Sequence, residues 1–442
     1  MLRYYTFPLF LVFVALSSCG VTHNITRKDK KEVRKAIELS PVFSKHFTGF
    51  VLYDPAKEEV LIQRNAHRYF TPASNTKILT FFTALHLLKD SMPYLEYAVK
   101  NDTIIFRGGG NPVFLHPDFE QPPLPSFLAD TSKFLFFSMD NFRDDSYGEG
   151  WMWDDYNYAF QTEKSSLPIY ENNVRTELPA DGDSIFINPV YFQKAYTPLP
   201  ERGDQLRIQR AEKANRFTFQ LPIEHKENLV VSKPFIVSQD LICKLLSDTL
   251  HRRVAPWTQA TDSLDFTSLY LPAQDTLYRR LLHQSDNFIA EQLLLMSAQK
   301  LYGYQNTKAA INYAKDSIFN FLTDELLWVD GSGISRYNLL TPAALVEILD
   351  SLQRKIPLER IKDLFPAGGI SGTIGDWYGG TSTPYLFAKT GTLRNNHNLS
   401  GYIITKSNRL LIFSFMNNHF KGSSGKVKQE MERVLRMVYE RF

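Results

Sequence analysis

Apolar positions along this chain fall either in short β-rich runs or at helical spacing, and the switches between them mark out its elements. The stretch HFTGFVLYDPAKEEVLIQRNA (46–66) reads as an apolar strand, an Asp54-Pro55 turn and a second strand, and predicts a β-hairpin. In TPASNTKILTFFTALHLLKD (71–90), Ile78, Leu79, Phe82, Leu85 and Leu88 fall at helical spacing. DLICKLLSDTL (240–250) predicts a helix that buries Cys243, and LLHQSDNFIAEQLLL (281–295) predicts a loop running into an amphipathic helix. Near the other end, NLSGYIITKS and RLLIFSFMNN are β-rich runs joined at Lys406-Ser407-Asn408, followed by a helix over GKVKQEMERVLRMVYERF. Strands at both ends with helices between predict an α+β domain whose sheet is completed from both ends of the chain. Between about residues 95 and 265 the texture changes to glycines, a proline cluster, aromatics and short strands such as RFTFQL, which predicts a β-rich insertion.

Composition narrows the function classes. The chain has 442 residues, 43% apolar and 22% charged, enough for a large core and two domains. A net charge of +3, from 50 basic and 47 acidic residues without a basic block, gives no face suited to nucleic acid. Two cysteines, Cys19 and Cys243, exclude a disulfide scaffold. Phe7 to Leu16 is an apolar run too short to span a bilayer, and Leu16-Ser17-Ser18-Cys19 follows it. That order resembles a bacterial lipobox, in which Cys19 is acylated, rather than a plain secretory signal. It predicts a protein exported and held by lipid in the periplasm, with the outer membrane favoured because Gly20 replaces the aspartate of inner-membrane retention. No cofactor motif or metal-ligand cluster is expected.

Three separated segments carry chemistry: Ser74-Asn75-Thr76-Lys77, Ser285-Asp286-Asn287 and Lys389-Thr390-Gly391. Ser74 stands where a loop enters a helix, so Lys77, three residues on, shares its face. The helix N-terminus offers unpaired backbone N–H groups where an oxyanion would form. A serine hydroxyl needs an adjacent base. Lys77 can serve only if burial or a neighbouring cation, Lys389 being the candidate, lowers its pKa. Ser285 is suited to relay a proton, and Asn287 to hydrogen-bond Lys77 and a substrate amide. Lys389 and Thr390 on a strand edge suit a carboxylate, Gly391 suits close approach of a substrate backbone, and the Thr392 N–H suits an oxyanion hole. A second S-x-x-K, Ser297 to Lys300, falls inside a helix and is expected to be structural. His283 and His397 lie near the motifs and receive no role.

With these motifs the chain resembles penicillin-binding proteins of the D-Ala-D-Ala carboxypeptidase/endopeptidase type that carry a large insertion after the S-x-x-K helix. The segments RGGGNP, GWMWDD, DGSGISRYNLLTP and FPAGGISGTIGDW extend the likeness over most of residues 45–420. The resemblance implies a serine β-lactamase/transpeptidase-like fold, with antiparallel sheet and flanking helices, and an acyl-enzyme on Ser74 formed from peptidoglycan stem peptides. It also implies covalent inhibition by β-lactams. The implied division is a signal peptide at 1–19, a catalytic domain at 20–95 and 266–442, and a β-rich domain at 96–265. A pocket for a diaminopimelate-like side chain is implied at Trp151, Asp154 (or its neighbour Asp155), Ile334, Arg336 and Leu393, with Asp and Arg meeting its amine and carboxylate. Asp330 and Ser332 are expected to hold the DGSG turn.

Two rivals are weighed. A β-lactamase of the same fold could use Tyr170-Glu171-Asn172 as a Y-x-N element, or Glu224 and Asn228 as a deacylating pair, but the first would make Ser285-Asp286-Asn287 redundant. A catalytically silent cell-wall-binding lipoprotein would have no need of Ser74, Lys77 and Lys389 together.

Overall fold

The computed structural model describes residues 25–442. Cys19 and the apolar stretch before it lie outside them, so the lipobox reading belongs to the sequence alone. Helix α1 (Arg27–Glu38) precedes the hairpin β1 (Phe47–Asp54) and β2 (Glu59–Arg64), as the two strands about the Asp54-Pro55 turn predict. Helix α2 (Thr76–Leu87) follows, entered through a 3-10 turn, Ala73–Asn75. Its residues 76–84 are all buried, so α2 has no solvent face over its first turns.

The chain then leaves the first sheet. Strands β3 (Ser91–Lys100) and β4 (Thr103–Gly108), helix α3 (Ser126–Ala129) and β5 (Phe134–Ser138) come first. The short strands β6 (Asn173–Leu178), β7 (Phe186–Asn188), β8 (Tyr196–Pro198), β9 (Arg207–Arg210), β10 (Phe217–Gln220) and β11 (Leu229–Pro234) follow. Helix α4 (Gln239–Leu250), β12 (Val254–Pro256) and β13 (Thr267–Pro272) complete the excursion. A five-stranded sheet of order β12-β5-β4-β3-β13 pairs the outgoing β3 with the returning β13, with two three-stranded sheets beyond it. These paired strands reach from Ser91 to Pro272, a few residues outside 96–265 on each side, because pairing continues past the composition change.

The remainder is α5 (Asp275–His283), α6 (Asn287–Tyr302), α7 (Thr307–Tyr313), α8 (Pro342–Lys355), α9 (Leu358–Leu364), β14 (Leu386–Leu393), β15 (Asn396–Ile404), β16 (Leu410–Asn418) and α10 (Gly425–Arg441). The first sheet runs β14-β15-β16-β1-β2, antiparallel throughout, so both ends of the described chain build it. Successive side chains point to opposite faces. Phe50, Leu52, Phe413 and Phe415 pack under α1 and α10, while Val51, Ile412 and Met416 join the core of α2, α6 and α8. A third core, drawn from Tyr94 to Val254, fills the excursion and takes in Cys243. This is the α+β transpeptidase-like architecture with an additional β-rich region. No helix of the described residues is long and apolar enough to cross a membrane.

Candidate active site

The site lies where the start of α2, the start of α6 and strand β14 meet. Ala73, just before Ser74, takes a left-handed φ of 49°, a conformation that costs an L-residue about 1 kcal/mol or more. Neighbours hold it there. Gly333 approaches so closely that a Cβ would stand 2.0 Å from the Ala73 carbonyl oxygen. Asn398 donates to the Thr71 and Pro72 carbonyls, and Asn75 donates to the Lys389 carbonyl at 2.7 Å. The serine is thus fixed against β14 before any substrate arrives.

Lys77 Nζ donates to Ser74 Oγ at 3.0 Å, to Asn287 Oδ1 at 2.6 Å and to the Ser332 carbonyl at 2.6 Å. Burial lowers its pKa to about 8, against the pull of Asp330, Glu291 and Asp286. Lys389 Nζ donates to Ser285 Oγ and to the Thr390 carbonyl, both at 2.9 Å. Burial first, then the charge of Lys77, push Lys389 well below the ordinary lysine range. Of the two causes expected, burial is the one that lowers Lys77, and the repulsion between the lysines falls on Lys389.

Ser285 is itself left-handed (φ 58°), which turns its hydroxyl to Lys389. Asp286 caps α6 by accepting from the Ile289 N–H, and Asn287 sends its amide to the Phe160 carbonyl of the insertion. Asp330 has the structural role expected of it. Its carboxylate accepts from the Gly333 and Ser335 N–H groups, from Asn338 and from the Trp151 indole.

Strand β14 is the edge of its sheet, and its outer edge can be read from its partners. The Ala388 N–H donates to the Pro366 carbonyl, and the Leu386 carbonyl accepts from the Gly368 N–H. With a period of two, the backbone groups of Thr390 and Thr392 face the same outer side. An extended peptide could pair there, with the Thr392 N–H beside the start of α2. Gly391 faces inward: a Cβ would stand 2.3 Å from the Pro72 carbonyl oxygen and 3.0 Å from the Ser74 nitrogen. Its lack of a side chain serves the fit of β14 to the serine loop, which differs from the expected approach of substrate backbone.

Of the side-chain pocket, Trp151 is tied to the Asp330 turn that carries Ile334 and Arg336, and Arg336 reaches the Arg394 carbonyl next to Leu393. Asp154 is exposed on the turn Trp153–Asn157, and among the described residues no hydrogen bond or ion pair joins it to Arg336. Asp155 is half-buried, with its carboxyl raised by burial and by Asp154.

Three contributors were not anticipated. Glu291 accepts from the Gly331 and Ser332 N–H groups, so it orients the carbonyl that binds Lys77. It lies four residues after Asn287 on one helix face, a spacing that could have revealed it. Thr373 shares a hydrogen bond of 2.7 Å with Thr390 Oγ1. His397, opposite Thr392 in the ladder, hydrogen-bonds its hydroxyl at 2.8 Å, and burial pushes the imidazole down to about 3. Ser297 donates back to the Leu293 carbonyl inside α6, the structural role expected. Tyr170 bonds Thr249 in the insertion, away from Lys77.

Known proteins resemble this chain in sequence and in fold. The profile of the D-Ala-D-Ala carboxypeptidase 3 (S13) family matches residues 30–214 and 246–438. A D-alanyl-D-alanine carboxypeptidase DacB of Haemophilus influenzae is 23% identical over 441 residues, covering 89% of each chain. A D-alanyl-D-alanine carboxypeptidase of Actinomadura sp. (strain R39) is 23% identical, covering 88% of this chain and 80% of its own. In structure, penicillin binding protein 4 (dacB) of Haemophilus influenzae aligns with a TM-score of 0.72 at 19% identity, over 93% of this chain and 99% of that one.

Proposed function

From its membership of the D-Ala-D-Ala carboxypeptidase 3 (S13) family, to which this chain belongs, we infer how a serine-type D-Ala-D-Ala carboxypeptidase is built on Ser74. The observation that carries the reading is the fully buried Lys77 amine, 3.0 Å from the Ser74 hydroxyl. The neutral amine takes the Ser74 proton as Oγ attacks the carbonyl between the two D-alanines. The tetrahedral oxyanion sits between the Ser74 and Thr392 N–H groups. On collapse, the leaving D-Ala nitrogen takes the proton that Lys77 gained, relayed through the Ser285 hydroxyl, while Asn287 Oδ1 holds the Lys77 amine. Water then hydrolyses the acyl-enzyme with the same base. The terminal carboxylate docks at Lys389 and the Thr390–Thr373 hydroxyl pair, and its charge favours the ammonium form of Lys389 against burial. Trp151, Asp154, Ile334, Arg336 and Leu393 border the position of the stem peptide's long side chain. β-Lactams acylate the same serine, in keeping with the solved β-lactam complex of the Haemophilus influenzae protein.

The deciding experiment is intact-mass spectrometry after incubation with benzylpenicillin and with a pentapeptide ending in D-Ala-D-Ala. A long-lived penicilloyl adduct and release of D-Ala are expected, and both disappear in Ser74→Ala. An adduct lost within seconds would instead favour a β-lactamase. Leu16-Ser17-Ser18-Cys19 supports export and acylation at Cys19, with the enzyme working at the periplasmic face of the outer membrane. Radiolabelled palmitate should enter the wild type and not Cys19→Ala.

A further inference from the structure

Outside the cleft, a chain of ion pairs joins the insertion to the Ser285-Asp286-Asn287 loop. Arg280, on α5, donates from Nε to Asp286 Oδ2 at 2.9 Å, from Nη2 to Glu171 Oε1 at 3.0 Å and from Nη1 to Asp118 Oδ2 at 2.5 Å. Glu171 Oε1 also lies 2.6 Å from His116 Nε2, and Asp118 Oδ1 accepts from Arg175 at 3.0 Å. The side chains of Arg280, Asp286 and Glu171 are only 15–16% exposed, so solvent screens these contacts weakly. His116, Asp118 and Glu171 converge closely enough to hold a divalent ion. The guanidinium, bonded to both carboxylates, already supplies the positive charge there.

The backbone that presents Glu171 is unusual. Tyr170, Glu171 and Asn172 have φ values of 54°, 56° and 53°, three consecutive residues in a region that L side chains avoid. Asn172 holds the segment by donating to the Glu163 carbonyl and Ser165 Oγ while accepting from the Ile169 N–H. The strained turn aims one carboxylate at Arg280. At the other end of the chain of pairs, Asp286 is shared between Arg280 and the first turn of α6. The residues on either side of it, Ser285 and Asn287, bond Lys389 and Lys77.

We propose that Arg280 and Glu171 are positioning residues: the insertion, through Glu171 and Asp118, clamps the guanidinium that fixes Asp286, and so sets Ser285 and Asn287 against the two lysines. This rests on the acyl-enzyme reading above. It makes the insertion part of the catalytic apparatus, so that whatever displaces the 169–172 turn changes the acylation rate.

The test is stopped-flow acylation of the full chain by benzylpenicillin, with thermal unfolding alongside, for Arg280→Met, Arg280→Lys, Glu171→Gln and the double variant Arg280→Met/Glu171→Gln. Misplaced catalytic groups cost rate rather than affinity. Arg280→Met should slow the acylation step about tenfold or more with half-saturation little changed. Arg280→Lys should recover part of the loss, and Glu171→Gln should show a smaller loss of the same kind. The double variant should be no slower than Arg280→Met. A folding role alone would not move the pH profile. Lys77 faces Asp330, Glu291, Asp286 and Lys389, and with the guanidinium gone the Asp286 charge acts on it uncompensated. The rising limb of acylation against pH should therefore move to higher pH. Wild-type rate and midpoint in folded Arg280→Met, or losses that multiply in the double variant, would overturn the proposal. Should Arg280→Met not fold, wild-type acylation by Glu171→Gln overturns it equally. Labelling of Ser74→Ala run in parallel would sink the acyl-enzyme reading instead, whatever the Arg280 variants do.

Discussion

At Ser74 and Lys77, proximity and burial act on the same pair of atoms. With a pKa of about 8, roughly one Lys77 in ten is the neutral base at pH 7. With Lys77 as the proposed base, acylation needs the deprotonated amine, so its rate should climb as pH rises through about 8 and level off above it. A pH series of penicillin acylation rates checks this, and a flat profile between pH 6 and 9 would exclude Lys77 as the base. Gly391 gives a steric prediction. Gly391→Ala places a methyl 2.3 Å from the Pro72 carbonyl oxygen, and backbone rather than a flexible side chain must move. The expected cost is about 1–3 kcal/mol of stability in urea unfolding, with acylation largely lost because the displaced segment carries Ser74. The roles of Glu291 and Thr373 were not read from the sequence. Its spacing of four from Asn287 on α6 could have revealed Glu291, whereas Thr373 reaches Thr390 from a separate segment of the chain.

Among the elements, helix α2 and strand β14 matter through the loop between them and the sheet. Asn398 on β15 donates to the Thr71 and Pro72 carbonyls, and its own Oδ1 accepts from the Asn417 N–H. Asn398→Ala strands buried polar groups and should cost about 2–4 kcal/mol, measured by urea unfolding, with a slower acylation step in the folded fraction. The contrasting control is Ser238→Ala, which removes the cap that accepts from the Leu241 N–H at the start of α4. It should cost about 1 kcal/mol and leave acylation unchanged, because α4 packs in the insertion core. Element identities were readable because their signals are local: short β-rich apolar runs in β1, β15 and β16, and the 3.6-residue period in α2. The 3-10 entry to α2 was not readable, since Gly333 and Asn398, far along the chain, impose it.

For the whole molecule, we propose that residues 91–272 form a cooperative unit around the third core. Phe137 is fully buried there, and Phe137→Ala should remove about 3–5 kcal/mol. Hydrogen exchange should then rise in β3–β5 and α4 while β14–β16 stay protected; equal loss of protection in β14–β16 would count against separate units. By itself the sequence determined which functional groups the chain owns, their order, and the helices and strands that carry them, because such patterns depend on neighbours within a few residues. Only the tertiary structure decided that Lys77 is dry enough to act as a base, that Gly391 meets Pro72, and that Arg280 joins Glu171 to Asp286. Desolvation, steric fit and ion pairing depend on atoms from distant segments, and folding alone sets their distances.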